Sequence, residues 1–222
     1  MSFISKRALN RRNYNLIIEP KTGSGGGGLL IYNALTDVPS PPLSVSGNAK
    51  VVHDQFIATL LATGAEGFES ALTNDTMQGF VCNANGNQGT FSMISATGCF
   101  VASAPNTGRY NTTPAGVNYM RYTTPVGSPC TLTFTAPMAG FGFYITGLGN
   151  FFGSMFVTLN KTGGGADGPY QLLVNSQVIG SLNFFGVTNT AATYDSVVFG
   201  VDDPTDVVGI DDVVFVRSNQ IA

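Results

Sequence analysis

Polar and apolar residues alternate with a period of two along the second half of the chain. The beat is plain in Thr131-Leu132-Thr133-Phe134, in Phe141-Gly142-Phe143-Tyr144-Ile145 and in Met155-Phe156-Val157-Thr158-Leu159. An extended backbone sends successive side chains to opposite faces, so this pattern calls for strands with one face in a core. Gly, Asn, Pro and Asp separate the runs, as turns between strands require. The pattern predicts strands at 90–94, 117–121, 130–134, 140–146, 154–160, 170–174, 181–187, 196–201 and 212–217. Many short strands divided by turns predict an all-β fold, an antiparallel β-sandwich of jelly-roll type. One segment breaks the rhythm. In residues 53–62 (HDQFIATLLA), Phe56, Ile57, Leu60 and Leu61 fall at helical spacing. No repeat of fixed period is present.

The composition supports a single packed body. Of 222 residues, 43% are hydrophobic, which is enough for one sizeable core. Charged residues make up 10%, against about 25% in typical domains. Sixteen Phe and eight Tyr with so little charge exclude a disordered chain. The Phe-rich runs holding Phe141, Phe143, Phe151, Phe152, Phe184 and Phe185 read as core.

The first 42 residues differ in character. Residues 1–21 hold Lys6, Arg7, Arg11, Arg12 and Lys21 against Glu19, a balance of +4. The remaining five basic and twelve acidic side chains sum to −7. Residues 15–19 suit one short strand. Residues 22–28 (TGSGGGG) read as a hinge, since glycine loses the most backbone freedom on ordering. A short apolar run, Leu29-Leu30-Ile31-Tyr32, comes next, and Pro39, Pro41 and Pro42 then stiffen the chain. The expected organisation is an extended basic arm over 1–42 and a sandwich over 43–222. Lys6, Arg7, Arg11, Arg12 and Tyr14 are the candidate partner-binding residues of the arm. Without interleaved aromatics these charges fit a protein neighbour better than nucleic acid. No apolar run of about 7–15 residues follows them, so no secretory leader is expected, and no stretch has the length of a membrane span. Cys82, Cys99 and Cys130 are odd in number and lack CxxC spacing, so three free buried thiols are expected.

The order of five segments carries a family resemblance: TGAEGFES at 63–70, FTAPMAGFGFYITGLGNFFG at 134–153, LNFFGVT at 182–188, SVVFG at 196–200 and VVGIDDVVFV at 207–216. This order resembles the secreted β-sandwich domains of bacterial surface proteins with C-terminal sorting tails of the PEP-CTERM type. It is more distantly similar to jelly rolls that open with an acidic Phe-Glu and close with Asp-Asp before a last strand. In such jelly rolls the first and last strands lie side by side. The resemblance therefore implies that Glu69 meets Asp211 and Asp212, a set that would hold a structural calcium. The wider cluster of Asp202, Asp203, Asp206, Asp211 and Asp212 has a second explanation, in which Asp202, Asp203 and Asp206 cap a turn and Asp211 accepts from backbone amides.

Catalytic motifs are few. His53 is the single histidine, and it lies far in sequence from any serine or cysteine motif. No nucleophile elbow, phosphate loop or HExxH is present. The expectation is a non-enzymatic virion structural protein, either capsid-decorating or tail-associated. It would form a dimer or trimer and contact other virion proteins through the arm, with no nucleic acid or membrane partner and no cofactor beyond the calcium. The alternative is an extracellular bacterial surface or matrix adhesion module that binds calcium or glycans.

Overall fold

A computed structural model of the chain describes residues 16–21, 28–37, 45–93, 99–103, 108–123, 129–148, 155–172, 181–201 and 207–222. It is an all-β sandwich of two antiparallel sheets. The elements in chain order are β1 (Leu16–Lys21), β2 (Leu29–Asp37), α1 (Gly47–Ile57), β3 (Val81–Ala84), β4 (Asn87–Met93), β5 (Phe100–Ala102) and β6 (Tyr119–Tyr122). They continue with β7 (Cys130–Met138), β8 (Gly140–Thr146), β9 (Met155–Lys161), β10 (Ala166–Gln171), β11 (Ser181–Asn189), β12 (Tyr194–Val201) and β13 (Val208–Val216). The first sheet runs β1-β2-β11-β8-β13-β6-β5 and the second β10-β9-β12-β7-β4-β3. Among the described residues no helix is long and apolar enough to cross a membrane.

The alternating residues meet between the sheets. Leu132, Val157, Leu159, Val197 and Phe199 from one sheet pack against Phe141, Phe143, Ile145, Phe185, Val187 and Phe215 from the other. Phe199 sits at the centre, its ring within 6.4 Å of those of Phe91, Tyr122, Phe141 and Phe143. The Tyr122 hydroxyl donates to the Phe199 carbonyl at 2.9 Å, which supplies the partner a buried phenol needs.

A second core covers the outer face of the first sheet. Ala49, Val52 and Phe56 of α1 pack on Tyr32, Ala34, Tyr144, Leu182, Phe184 and Val214. Strands β8 and β11 are therefore buried on both faces along their whole length. Gly142 and Gly186 are cross-strand partners, and they form the seat for Phe56. A Cβ on either would stand 2.9 or 3.0 Å from its ring.

Two sequence expectations are corrected here. The helix spans Gly47–Ile57, not 53–62. Ala49, Val52 and Phe56 make its buried stripe, which starts before the apolar residues used to place it. Leu60, expected in the helix, instead bridges Ile221 beyond its end. The arm is also shorter than 1–42. Strand β2 pairs with β11 over nine residues, from Leu29 opposite Asn189 to Asp37 opposite Ser181, and β1 pairs with β2. Leu29-Leu30-Ile31-Tyr32 belongs to the sandwich because Leu29 and Ile31 face the interlayer core while Tyr32 faces α1. Strand β8 falls on its predicted bounds, and the other predicted strands overlap observed ones. The short strands β3 and β5 had no prediction.

Candidate functional site

The stretch 108–118 joins β5 to β6 and is fixed by carboxylates from distant parts of the chain. Asp211 accepts from the Thr112 amide at 2.6 Å and the Thr113 amide at 3.0 Å. The Thr112 hydroxyl lies 3.1 Å from Asp211 and 3.0 Å from Asp212, and the Thr113 hydroxyl donates to Asp212 at 2.7 Å. At the far end of the stretch, Glu69 accepts from the Val117 and Asn118 amides and from the Asn111 side chain, each at 2.9 Å. Gly116 leaves room for this clasp: a Cβ there would collide with the Glu69 carboxylate. A fourth carboxylate, Glu66, is buried and accepts from the Phe68 and Asn83 amides, while its backbone pairs with Val213.

A bulge in β13 makes the Asp pair accessible to this stretch. Val208, Ile210, Val213 and Phe215 all face the interlayer core, so the period of two slips by one residue at Asp211–Asp212, where the pairing with β8 also shifts. Asp212 takes the left-handed backbone region, with φ of 48°, an uncommon state for a residue with a side chain. Both carboxylates are buried. Loss of water around Asp211, followed by repulsion from Asp212, pushes the Asp211 carboxyl up to about 8 against the opposing pull of the Thr112 amide.

The structure thus brings Asp211 and Asp212 together and ties Glu69 to the other end of the same stretch. Their oxygens serve amides and hydroxyls, the arrangement foreseen for Asp211 as the alternative to calcium. Among the described residues no group of three or more His, Cys, Asp or Glu side chains is placed to hold a metal ion. Asp202, Asp203 and Asp206, like Lys6, Arg7, Arg11, Arg12 and Tyr14, lie outside the described residues, as do Phe151 and Phe152. His53 stands on α1, stacked on Tyr144 at 4.8 Å and 3.2 Å from Asp54, and burial lowers its pKa. Cys82, Cys99 and Cys130 are free and buried. Desolvation raises all three thiols, Cys99 to about 12.

What the clasped stretch positions is a recess at the edge of the first sheet. Arg109 stands near its start and Tyr119 just past its end. With Arg121, Phe100, Ala102, Ser103, Thr73 and Asn74 they line a hollow of about 340 Å³. The 73–77 segment is held along β5: the Asn74 amide donates to the Val101 carbonyl at 2.8 Å and the Val101 amide to the Asp75 carbonyl at 2.9 Å. The Arg121 guanidinium lies over the Phe100 ring at 4.7 Å. Arg109 is 9% exposed. One of its terminal nitrogens donates to the Val207 carbonyl at 3.2 Å, and its Nε has no partner among the described residues. Arg109 also hydrogen-bonds Tyr119, although burial outweighs this and raises the Tyr119 phenol. The hollow offers two cations, an aromatic ring and several neutral hydrogen-bonding groups, which can hold a polar ligand. Sequence reasoning missed it, since its lining is drawn from four separated places in the chain and carries no motif.

No protein-family model matches the chain, and no curated protein does. Two solved structures are similar to it. One is the enzymatically active domain of tailspike protein 4 from bacteriophage CBA120, at 16% identity, covering 58% of this chain and 19% of that one, with a TM-score of 0.35. The other is TmCBM61 in complex with β-1,4-galactotriose, at 14% identity, covering 68% of this chain and 94% of that one, with a TM-score of 0.36. The chain spans about a fifth of the tailspike chain that it matches.

Proposed function

We propose that this protein is a non-enzymatic attachment component of a virion, tail-associated or capsid-decorating, and that its sandwich holds a saccharide in the recess between Asn74, Phe100, Arg109 and Arg121. The observation that carries the reading is the recess itself. Its walls mix an aromatic ring with amide, hydroxyl and guanidinium groups, as polyol ligands require. Between Arg109 and Tyr119 the chain is held by carboxylates at Thr112–Thr113 and at Val117–Asn118, so little ordering is left to oppose binding. Attachment to the particle falls to the segment before β1, with Lys6, Arg7, Arg11, Arg12 and Tyr14. Strand β1 has one strand neighbour among the described residues, β2, and its other edge suits strand addition by a partner or a second copy. Three reduced, buried cysteines fit assembly inside a reducing cytoplasm.

The test is location. An antibody to the sandwich should label purified particles, and removal of residues 1–15 should abolish that label while leaving a folded protein that still binds saccharide. Label confined to the cell envelope, with none on particles, overturns the virion reading in favour of the adhesion module. That module would use the same recess.

A further inference from the structure

We propose that the recess selects acidic sugars, and that Arg109 and Arg121 together receive the carboxylate of a uronic-acid or similar residue. The inference rests on the saccharide reading and adds the charge class. The described ion pairs of the chain are Lys50 with Asp54 and Lys161 with Asp167, and His53 lies against Asp54 in a contact that is ionic only when the imidazole is protonated. Neither Arg109 nor Arg121 has a carboxylate partner among the described residues, although the chain as a whole carries a net charge of −3. A guanidinium as buried as Arg109 loses much of its hydration, so an anion that reaches it gains more than it would in open water. Its Nε is a buried donor without an acceptor among the described residues. Arg121 is held over Phe100, which restricts the guanidinium before a ligand arrives, and a planar fork of donors matches the two oxygens of a carboxylate.

The rest of the lining argues for a sugar around that carboxylate. Thr73, Asn74 and Ser103 are neutral and hydrogen-bonding, and the Thr73 hydroxyl donates to Ser103 at 3.2 Å. Ala102 and the stacked Phe100–Arg121 pair border these groups and add an apolar surface beside them. A free inorganic anion has no use for these groups. The volume, about 340 Å³, lies toward the small end of the range of about 300–1,000 Å³ for ligand sites and suits one or two sugar rings.

Isothermal titration of the full chain with three probes tests the assignment: galacturonate oligomers, galactose oligomers of equal length and inorganic phosphate. The galacturonate oligomers should bind, with an affinity that falls as salt rises. The galactose oligomers should bind about tenfold more weakly or worse. Arg121→Gln should cost about tenfold or more in galacturonate affinity and little in galactose affinity, while Lys161→Gln, outside the recess, should change neither. If Arg109→Gln unfolds the chain, Arg121→Gln alone decides. Equal affinity for charged and neutral oligomers overturns the acidic selectivity and leaves the saccharide reading standing. Binding of phosphate without galacturonate overturns the sugar assignment. Failure of both oligomers overturns the acidic proposal and the saccharide reading together.

Discussion

Asp211→Asn should flatten the dependence of stability on pH between about pH 5 and 7. In the folded protein the Asp211 carboxyl keeps its proton up to about pH 8, because burial and the neighbouring Asp212 oppose its charge. In an unfolded chain it releases the proton near pH ~3.9. Between these values the folded state binds more protons than the unfolded state, so rising pH favours unfolding. The stabilising contribution is full below about pH 4 and is lost as pH rises through about 8. One proton is worth about 1.4 kcal/mol per pH unit, so the interval from about pH 5 to 7 amounts to about 3 kcal/mol. For a chain of this length that corresponds to roughly 6–12 °C in Tm. Asparagine keeps an oxygen for the Thr112 and Thr113 amides, which both bond the same carboxylate oxygen, so the variant should fold. Urea unfolding of both proteins at the two pH values is the assay. The stability of the variant relative to the native protein should rise by about 3 kcal/mol from pH 5 to 7. Parallel pH profiles would refute the buried, proton-retaining carboxyl.

Three further outcomes follow from the same structure. Phe199→Ala removes the ring on which Phe91, Tyr122, Phe141 and Phe143 converge and should cost about 3–5 kcal/mol in urea unfolding, whereas a loss under about 1 kcal/mol would deny its central place. Cys82, Cys99 and Cys130 should resist a thiol reagent in the native protein at neutral pH and all react once it is unfolded without reductant, since all three are buried and their thiols are raised; fewer than three reactive thiols would reveal a disulfide. Chelator and added calcium should both leave Tm unchanged, because amides and hydroxyls already occupy the Asp211, Asp212 and Glu69 oxygens. A calcium-dependent rise in Tm, lost in Asp212→Asn, would restore the metal expected from the sequence.

The fold was largely legible because strand periodicity is a local property. Thr131-Leu132-Thr133-Phe134 sends Leu132 and Phe134 inward whatever lies elsewhere in the chain, and the turn residues between runs mark where strands stop. The segment Gly140–Thr146 is also readable as a strand, although nothing in it foretells that a helix covers its second face. The run Leu29–Tyr32 reads in the sequence as part of an arm because glycines precede it and prolines follow. Its membership in the sheet depends on β11, some 150 residues later.

The candidate site was legible only in pieces. The Asp-Asp pair stood out in the sequence, but its partners are Thr112 and Thr113, 98 to 100 residues away, and they are ordinary residues in an ordinary loop. The recess draws Asn74, Phe100, Arg109 and Arg121 from separate segments, and no spacing rule connects them. The sequence by itself determined which segments extend and which faces are apolar, because those preferences are paid within a few residues. Tertiary structure alone decided which carboxylates meet amides and which cations line the recess, because hydrogen bonds and charge placement depend on distances that only the closed sandwich sets.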